Sequence, residues 1–335
     1  MSRASHARRL AYGGGGLLGI GATVFGVLLA EAKLARRAIG DTEGTPPDPA
    51  GTYGASNLRA DAEPVRLVLV GDSSAAGFGV ETADQTPAAQ LARRLSAVLD
   101  RPVEASSIAQ VGAQTADLDQ QLDLLLEGDE PPHVAVVMIG ANDVTNRVRP
   151  AESVRLLAAA VTRLRDASIE VVVGTCPDLG TVRPIRHPLR LVARRWSRSL
   201  AAGQTIAVVE AGGRSVSLGD LLGPEFETRA DEMFGPDRFH PSPAGYAAAA
   251  DALLPAVCAA LGAPHPITNA VLAPAGRTTV MEVDDAAVAA AEKAGTEVSA
   301  ARADDRPARG LGLRSATRRL LRRGEPATLV DVSER

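Results

Sequence analysis

The sequence predicts an α/β protein, a three-layer α/β/α sandwich built on a parallel sheet of five strands. Short runs rich in Val, Ile and Leu alternate with helical patterns through the middle of the chain. Such alternation is typical of parallel sheets covered by helices on both faces. The chain has 335 residues, 45% of them hydrophobic, which is enough to bury a sizeable core.

The five predicted strands are apolar runs of the kind that parallel sheets bury. They cover residues 65–71, 103–108, 134–139, 169–174 and 205–211. Helices are predicted over residues 86–100, 115–126, 151–166, 189–202 and 242–261. The pairs Thr86-Pro87 and Ser242-Pro243 each join a capping side chain to a proline of the first helical turn, which marks the start of two of these helices.

Residues 1–39 precede the predicted globular domain of residues 65–262 and contain an uncharged stretch, 10–30. This stretch is long enough to cross a bilayer as a helix. Its interpretations are a retained membrane anchor, a cleaved signal peptide, and a buried or interfacial helix. We expect an anchor in the cell membrane with the globular domain on the extracytoplasmic side. Secretion after cleavage and a cytoplasmic location are the alternatives.

Two further segments differ in composition from the globular domain. Residues 40–64 are rich in Gly, Pro, Asp and Thr and are predicted as a linker. Residues 263–335 are rich in Ala and Arg and are predicted as a largely disordered tail. The net charge of -4 and the lack of a dense basic face in the domain argue against nucleic acid as a partner. Cys176 and Cys258 have no metal-type spacing, and whether they pair is open.

Polar or glycine-bearing turns follow the first three predicted strands, and another precedes the last helix. These turns are Gly71-Asp72-Ser73-Ser74, Gln110 to Thr115, Gly140-Ala141-Asn142-Asp143 and Asp237-Arg238-Phe239-His240. Ligands of open α/β sheets bind outside the carboxyl ends of the strands. In a doubly wound sheet of order 2-1-3-4-5, the first and third strands are neighbours, so Ser73 and Asn142 are expected to flank one crevice.

Ser73, His240 and Asp237 have the residue types of nucleophilic acyl transfer. A serine hydroxyl needs a base to remove its proton. Asp237 lies three residues before His240, so it can fold back and orient the imidazole while the other ring nitrogen faces Ser73. The oxyanion formed on attack needs donors, for which the candidates are the Asn142 amide and the backbone N–H groups of Gly112 and Ser73. Asp72 is predicted as a turn residue rather than a catalytic acid.

These four segments resemble the four sequence blocks of the SGNH (GDSL-type) hydrolase superfamily, in the order of that family. Ser73 matches the nucleophile of the first block, Gly112 the glycine of the second, Asn142 the third, and Asp237 with His240 the fourth. Two positions depart from the family pattern. Gln110 stands where the second block usually has Asn, and Ser74 stands where the first block usually has Leu.

The resemblance implies a serine esterase or acyl hydrolase that works through an acyl-serine intermediate on a flavodoxin-like sandwich, with no metal or cofactor. Its substrate is open, since small-molecule esters, lipid esters and acetylated carbohydrates all agree with the family. An acyltransferase on the same site and a non-catalytic ligand-binding module are the alternatives. Residues 71–79 have neither the P-loop ending nor the dinucleotide-binding spacing of glycines. Cys176 is not expected to act as a nucleophile, and the segment Cys176-Pro177-Asp178-Leu179-Gly180 is expected to line the pocket.

Overall fold

The computed structural model of the chain describes residues 44–54, 62–128, 130–263 and 297–299, together with Ala30, Glu31 and Leu34. The uncharged stretch predicted as an anchor lies outside the described residues, except for Ala30 at its end. The predicted tail lies outside them too, except for its first residue and residues 297–299.

The strands form one sheet of seven. In chain order they are β1 (Gly51–Tyr53), β2 (Val65–Gly71), β3 (Val103–Ser107), β4 (Val134–Met138), β5 (Glu170–Gly174), β6 (Arg214–Val216) and β7 (Glu297–Ser299). Their order across the sheet is β1-β3-β2-β4-β5-β6-β7. The central five run parallel in the predicted order 2-1-3-4-5, which confirms the doubly wound topology.

Helices cover both faces of the sheet. They are α1 (Ser73–Ala76), α2 (Pro87–Leu99), α3 (Leu118–Leu126), α4 (Ala141–Thr145), α5 (Pro150–Asp166), α6 (Leu189–Glu210), α7 (Leu218–Thr228), α8 (Ala230–Met233) and α9 (Pro243–Ala260). Short 3₁₀ turns occur at Ala83–Gln85, Thr115–Asp117 and Leu179–Thr181. As predicted, the side chains of Thr86 and Ser242 cap the first turns of α2 and α9.

Two cores lie on opposite faces of the sheet because successive side chains of a strand alternate. On β2, Leu67 and Leu69 pack with α2 and α9. Val68 and Val70 pack with α3 and α5 on the other face. Within the described part of the chain, α9 is the one helix long and apolar enough to span a membrane, and half of it is buried inside the domain. Its apolar character is thus accounted for by packing against the core.

The fifth predicted strand, residues 205–211, is wrong. These residues continue α6 to Glu210, and the fifth parallel strand is Arg214–Val216. Val208 and its neighbours form the buried side of α6. A short buried helical run and a buried strand have the same apolar composition, so periodicity alone does not separate them. The chain then reverses at Gly212, whose φ is 84°, a conformation that glycine adopts readily.

The sheet also has two antiparallel edge strands that the sequence pattern does not predict. β1 pairs with β3 and lies in the segment predicted as a linker. β7 pairs with β6 and lies in the segment predicted as a disordered tail. Each has three residues, too few to show an alternation of apolar and polar side chains. Both depend on backbone hydrogen bonds to a distant strand, which composition does not reveal.

Two buried glutamines hold the carboxyl ends of the strands in place. The Gln121 side chain accepts a hydrogen bond from Gly71 N (2.8 Å) and donates one to Gly71 O (2.9 Å). The Gln204 side chain accepts from Cys176 N (2.8 Å) and donates to Ile139 O (3.1 Å). Buried backbone groups need such partners, so these amides replace the sheet partners that are lost where the strands end.

Gln121→Met is expected to lower the free energy of unfolding by about 2 kcal/mol, because it leaves the buried Gly71 N–H without a partner. The measurement is urea unfolding followed by circular dichroism. Gln120→Met is the matched control, since Gln120 is the exposed neighbour on α3. Equal stability of the two variants would show that the amide does not support the strand end.

Candidate active site

Ser73 follows a glycine at the end of β2 whose conformation leaves no room for a side chain beside β4. Gly71 has a φ of 135°, and a Cβ built on it would lie 1.9 Å from Met138 O. A glycine is therefore required at this point. The next residue, Asp72, caps α1 by accepting a hydrogen bond from Ser74 N (2.8 Å), as expected for a turn residue. Ser73 is then the first residue of α1, buried at the carboxyl edge of the sheet.

His240 and Asp237 form a hydrogen-bonded row with Ser73. The Nε2 atom of His240 is 2.9 Å from Ser73 Oγ, and its Nδ1 atom is 2.6 Å from Asp237 Oδ2. Asp237 Oδ1 accepts from the backbone N–H groups of Phe239 (2.9 Å) and His240 (3.0 Å). The turn that the sequence predicts thus folds the carboxylate back onto the imidazole. The three predicted side chains are brought together across 167 residues of sequence.

The environment of Asp237 favours its ionised form. Burial acts to raise the pKa of this carboxyl, but the hydrogen bonds from His240 and Phe239 N–H and the charge of His240 lower it more. The pKa of Asp237 therefore lies below its ordinary value. A carboxylate that stays ionised is suited to hold an imidazole in one tautomer and to stabilise its protonated form.

Asp72 behaves in the opposite way although it lies beside Ser73. Its side chain is 2% exposed, and burial raises its pKa to about 6, against the lowering effects of Ser74 and His240. Removal from water disfavours the charged form, and the hydrogen bonds from Ser74 are too few to offset this. Burial of Asp72 therefore lowers the free energy of unfolding at pH values where its carboxyl group would be ionised in the unfolded chain.

Asn142 lies beside Ser73 on α4, and its amide is partly engaged. The Nδ2 atom donates to Ala113 O (2.9 Å), which leaves a second N–H of the same amide available. Gly112 precedes Ala113 in an exposed turn with a φ of 83°. Gln110 N pairs with Gly71 O (3.0 Å) and ties this turn to the end of β2. Gly112 is not among the residues that line the pocket at Ser73, whereas Asn142 is.

Asp143, the residue after Asn142, fixes α4 through the hydrogen bonds of its side chain. Its buried carboxylate accepts from Ser153 Oγ (2.6 Å) and from Thr115 N (3.1 Å). It thereby joins α4 to the first turn of α5 and to the loop after β3. The sequence pattern does not reveal this link or the hydrogen bonds of Gln121 and Gln204, because the partners are not neighbours in the sequence.

Cys176 stands apart from the pocket. It and Cys258 are both free and buried, so they do not pair. Burial raises the pKa of the Cys176 thiol well above its ordinary value, which opposes formation of a thiolate. Cys176 does not line the pocket at Ser73, although its neighbours Pro177 and Asp178 do. No group of three or more His, Cys, Asp or Glu side chains able to hold a metal ion occurs among the described residues.

The model of the GDSL-like lipase/acylhydrolase family matches residues 69–248, more than half of the chain, and the match includes Ser73, Asn142 and His240. The chain belongs to the GDSL-like lipase/acylhydrolase family. The resemblance stated from the four sequence blocks is therefore confirmed.

This GDSL-type chain is similar to one curated protein and to several solved structures. It is 41% identical over 243 residues to GDSL-like esterase Rv1075c of Mycobacterium tuberculosis, covering 70% of this chain and 77% of the relative. Among solved structures, TesA is 20% identical with a TM-score of 0.46, over 58% of this chain and 99% of TesA. The acetylxylan esterase Axe2 of Geobacillus stearothermophilus is 18% identical with a TM-score of 0.43, over 60% and 95% of the two chains.

Asp72→Asn is expected to stabilise the protein at pH 7 by roughly 3 kcal/mol, since the carboxyl has a pKa of about 6 when folded and 3.8 ordinarily. Between these values the folded protein retains a proton that the unfolded chain has lost, so wild-type stability falls as pH rises to 6. The advantage of Asp72→Asn should therefore vanish below pH 4.

Urea unfolding at a series of pH values measures this difference. Asp166→Asn, at an exposed aspartate, is the control and should change stability only slightly. An advantage of Asp72→Asn that is equal at pH 4 and pH 7 would contradict the assignment of a raised pKa.

Proposed function

We propose that this carboxylic ester hydrolase of the GDSL type works through an acyl-serine intermediate, with Ser73 as nucleophile and His240 as general base. The observation that carries the proposal is the row Ser73–His240–Asp237, with separations of 2.9 and 2.6 Å. Nucleophile, base and orienting carboxylate are in hydrogen-bond contact before any substrate binds, as nucleophilic catalysis requires.

In the acylation step, Ser73 Oγ attacks the carbonyl carbon of the ester while His240 Nε2 takes the hydroxyl proton. The carbonyl oxygen becomes an oxyanion, which accepts hydrogen bonds from the Asn142 amide and from the backbone N–H groups of Ser73 and Gly112. As the C–O bond to the alcohol breaks, His240 gives its proton to the departing oxygen. The products of this step are the free alcohol and an acyl ester of Ser73.

In the deacylation step, water takes the place of the alcohol. His240 removes a proton from the water as it attacks the acyl carbonyl, and then returns a proton to Ser73 Oγ as the acid leaves. Asp237 remains ionised through both steps, consistent with its lowered pKa. It stabilises the imidazolium that forms in each step and holds the imidazole in the tautomer with a proton on Nδ1.

Neither alternative function is favoured. A non-catalytic binding module has no need of a serine, an imidazole and a carboxylate in one hydrogen-bonded row. An acyltransferase would use the same row with an alcohol in place of water, and no feature of the described residues favours an alcohol as the acceptor. Hydrolysis is therefore the simpler assignment.

We further propose that residues 10–30 anchor the enzyme in the cell membrane with the catalytic domain on the extracytoplasmic side. The support is the absence of charge over this stretch and its sufficient length. Glu31 Oε2 accepts a hydrogen bond from Leu189 N (2.8 Å). The residue after the stretch is thus bound to the catalytic domain. Esters within or near the bilayer would then be accessible.

A fluorophosphonate probe is expected to label Ser73 covalently, because a serine activated by His240 reacts with such electrophiles. Labelling should be lost in Ser73→Ala and His240→Ala and retained in Ser74→Ala, the neighbouring control. With p-nitrophenyl esters, His240→Ala should lower kcat by about 10⁶-fold and Asp237→Asn by a smaller factor, about 10⁴-fold. Wild-type protein that neither reacts with the probe nor hydrolyses any ester would refute the proposed activity.

Membrane attachment is tested by fractionation of cells that express the full chain. The full chain should stay in the membrane pellet after salt and alkaline washes, and detergent should release it. A variant lacking residues 10–30 should be soluble and retain activity. External protease should degrade the catalytic domain in intact spheroplasts. A full chain found in the soluble fraction would contradict the anchor, and protection from protease would contradict the orientation.

A further inference from the structure

A pocket runs from Ser73 toward the β5 side of the sheet. The space between its walls, including space open to solvent, is about 860 Å³. Ser73, Asn142 and His240 stand at the mouth. The other walls come from the loop after β5, from α7 and from the end of α8. Their apolar side chains are Leu179, Val182, Leu218, Leu222, Phe226 and Phe234. Most of these are buried in the described structure.

The wall formed by α7 is held firmly in place. A Cβ on Gly174, at the end of β5, would lie 2.6 Å from Leu218 Cδ1, so the Leu218 side chain packs directly against the glycine. At the other end, the rings of Phe226 and Phe234 pack edge to face with centroids 4.8 Å apart. Aromatic pairs prefer such an arrangement. The apolar walls of the pocket are therefore packed against the sheet and against each other.

The polar groups beyond the mouth are largely satisfied by the protein itself. Asp178 Oδ1 accepts from Gly180 N (2.7 Å), and its Oδ2 atom is 3.3 Å from both Arg194 and Arg198. Thr181 Oγ1 donates to Asp178 O (2.8 Å). The hydroxyl of Thr175 is buried without a partner in the described structure. These walls present no free carboxylate or amide that would hydrogen-bond the hydroxyl groups of a sugar.

The two sides of Ser73 differ in their access to water. On the β3 side, Gln110, Val111 and Gly112 are exposed. On the β5 side, the pocket is lined by buried side chains of α7 and of the loop after β5. The acyl group stays bound to Ser73 through both chemical steps, whereas the alcohol must leave and water must enter. An apolar pocket with buried walls therefore suits the acyl chain, and the exposed side suits the alcohol and water.

We propose that this pocket binds the acyl chain of the substrate, and that the enzyme prefers esters of linear fatty acids several methylenes long over acetate esters. Leu222 and Phe226 of α7 are the residues that limit the chain length. This inference rests on the proposed function of Ser73 and adds the chemical class of the acyl group. Burial of each methylene contributes about 0.8 kcal/mol, which corresponds to about a fourfold rise in kcat/KM.

The test is a series of p-nitrophenyl esters with acetyl, butyryl, hexanoyl and octanoyl groups, all having the same leaving group. For the wild-type full chain, kcat/KM should rise by about 10²-fold from acetyl to hexanoyl, at about fourfold per methylene. In Leu222→Trp, where the indole would fill the pocket, the ratio of octanoyl to acetyl kcat/KM should fall at least tenfold. In Phe226→Ala, the preferred chain should become longer.

Leu221→Trp is the matched control, because Leu221 lies on the same helix but does not line the pocket; it should keep the wild-type ratio. The ratio is insensitive to partial loss of folded protein, so a less stable variant still gives a result. An acetyl ester hydrolysed as fast as the longer esters overturns the acyl-chain assignment while Ser73 still reacts with the fluorophosphonate. A ratio unchanged in Leu222→Trp also overturns it, and a protein inert to every ester and to the probe overturns the proposed function as well.

Discussion

The conformation of Gly71, at the end of β2 beside β4, is the constraint on which the site depends. No side chain fits between Gly71 and Met138 O, where a Cβ would lie at 1.9 Å. This contact, with both backbone groups of Gly71 held by Gln121, determines where the chain turns into α1. Ser73 is therefore placed next to Asn142 at the switch point of the sheet, where open α/β folds form their crevice. The remaining parts of the site are arranged around that position.

Two aspartates near Ser73 show how the surroundings of a carboxyl group determine its behaviour. Asp237 receives hydrogen bonds from an imidazole and two backbone N–H groups, and its pKa is lowered. Asp72 is more deeply buried with fewer donors, and its pKa rises to about 6. The first can support a positive charge on His240. The second mainly caps α1, and its burial reduces stability at neutral pH.

The pocket combines a polar mouth with apolar walls because its parts come from different layers of the fold. The mouth is made by strand ends and by the turn before α9, where backbone and side-chain donors gather. The walls are made by α7, which turns leucine and phenylalanine side chains away from water toward the sheet. The proposed chemistry therefore takes place at the boundary between these regions, with the reacting carbonyl at the polar mouth and an acyl chain on the apolar side.

The sequence by itself determined the features that depend on neighbours along the chain. These are the four central strands, the caps at Thr86 and Ser242, and the Asp237–His240 turn. The order of the parallel strands was expected from the doubly wound class that the alternation of strands and helices indicates. The tertiary structure decided what depends on distant contacts: that residues 205–210 are helical, that β1 and β7 pair at the edges, and that Gln121 supports Gly71. It also decided the pocket walls, since the side that α7 turns toward Ser73 is set by packing. The periodicity of the sequence indicates which residues are buried. It does not indicate which distant residues they pack against, because that depends on the tertiary structure.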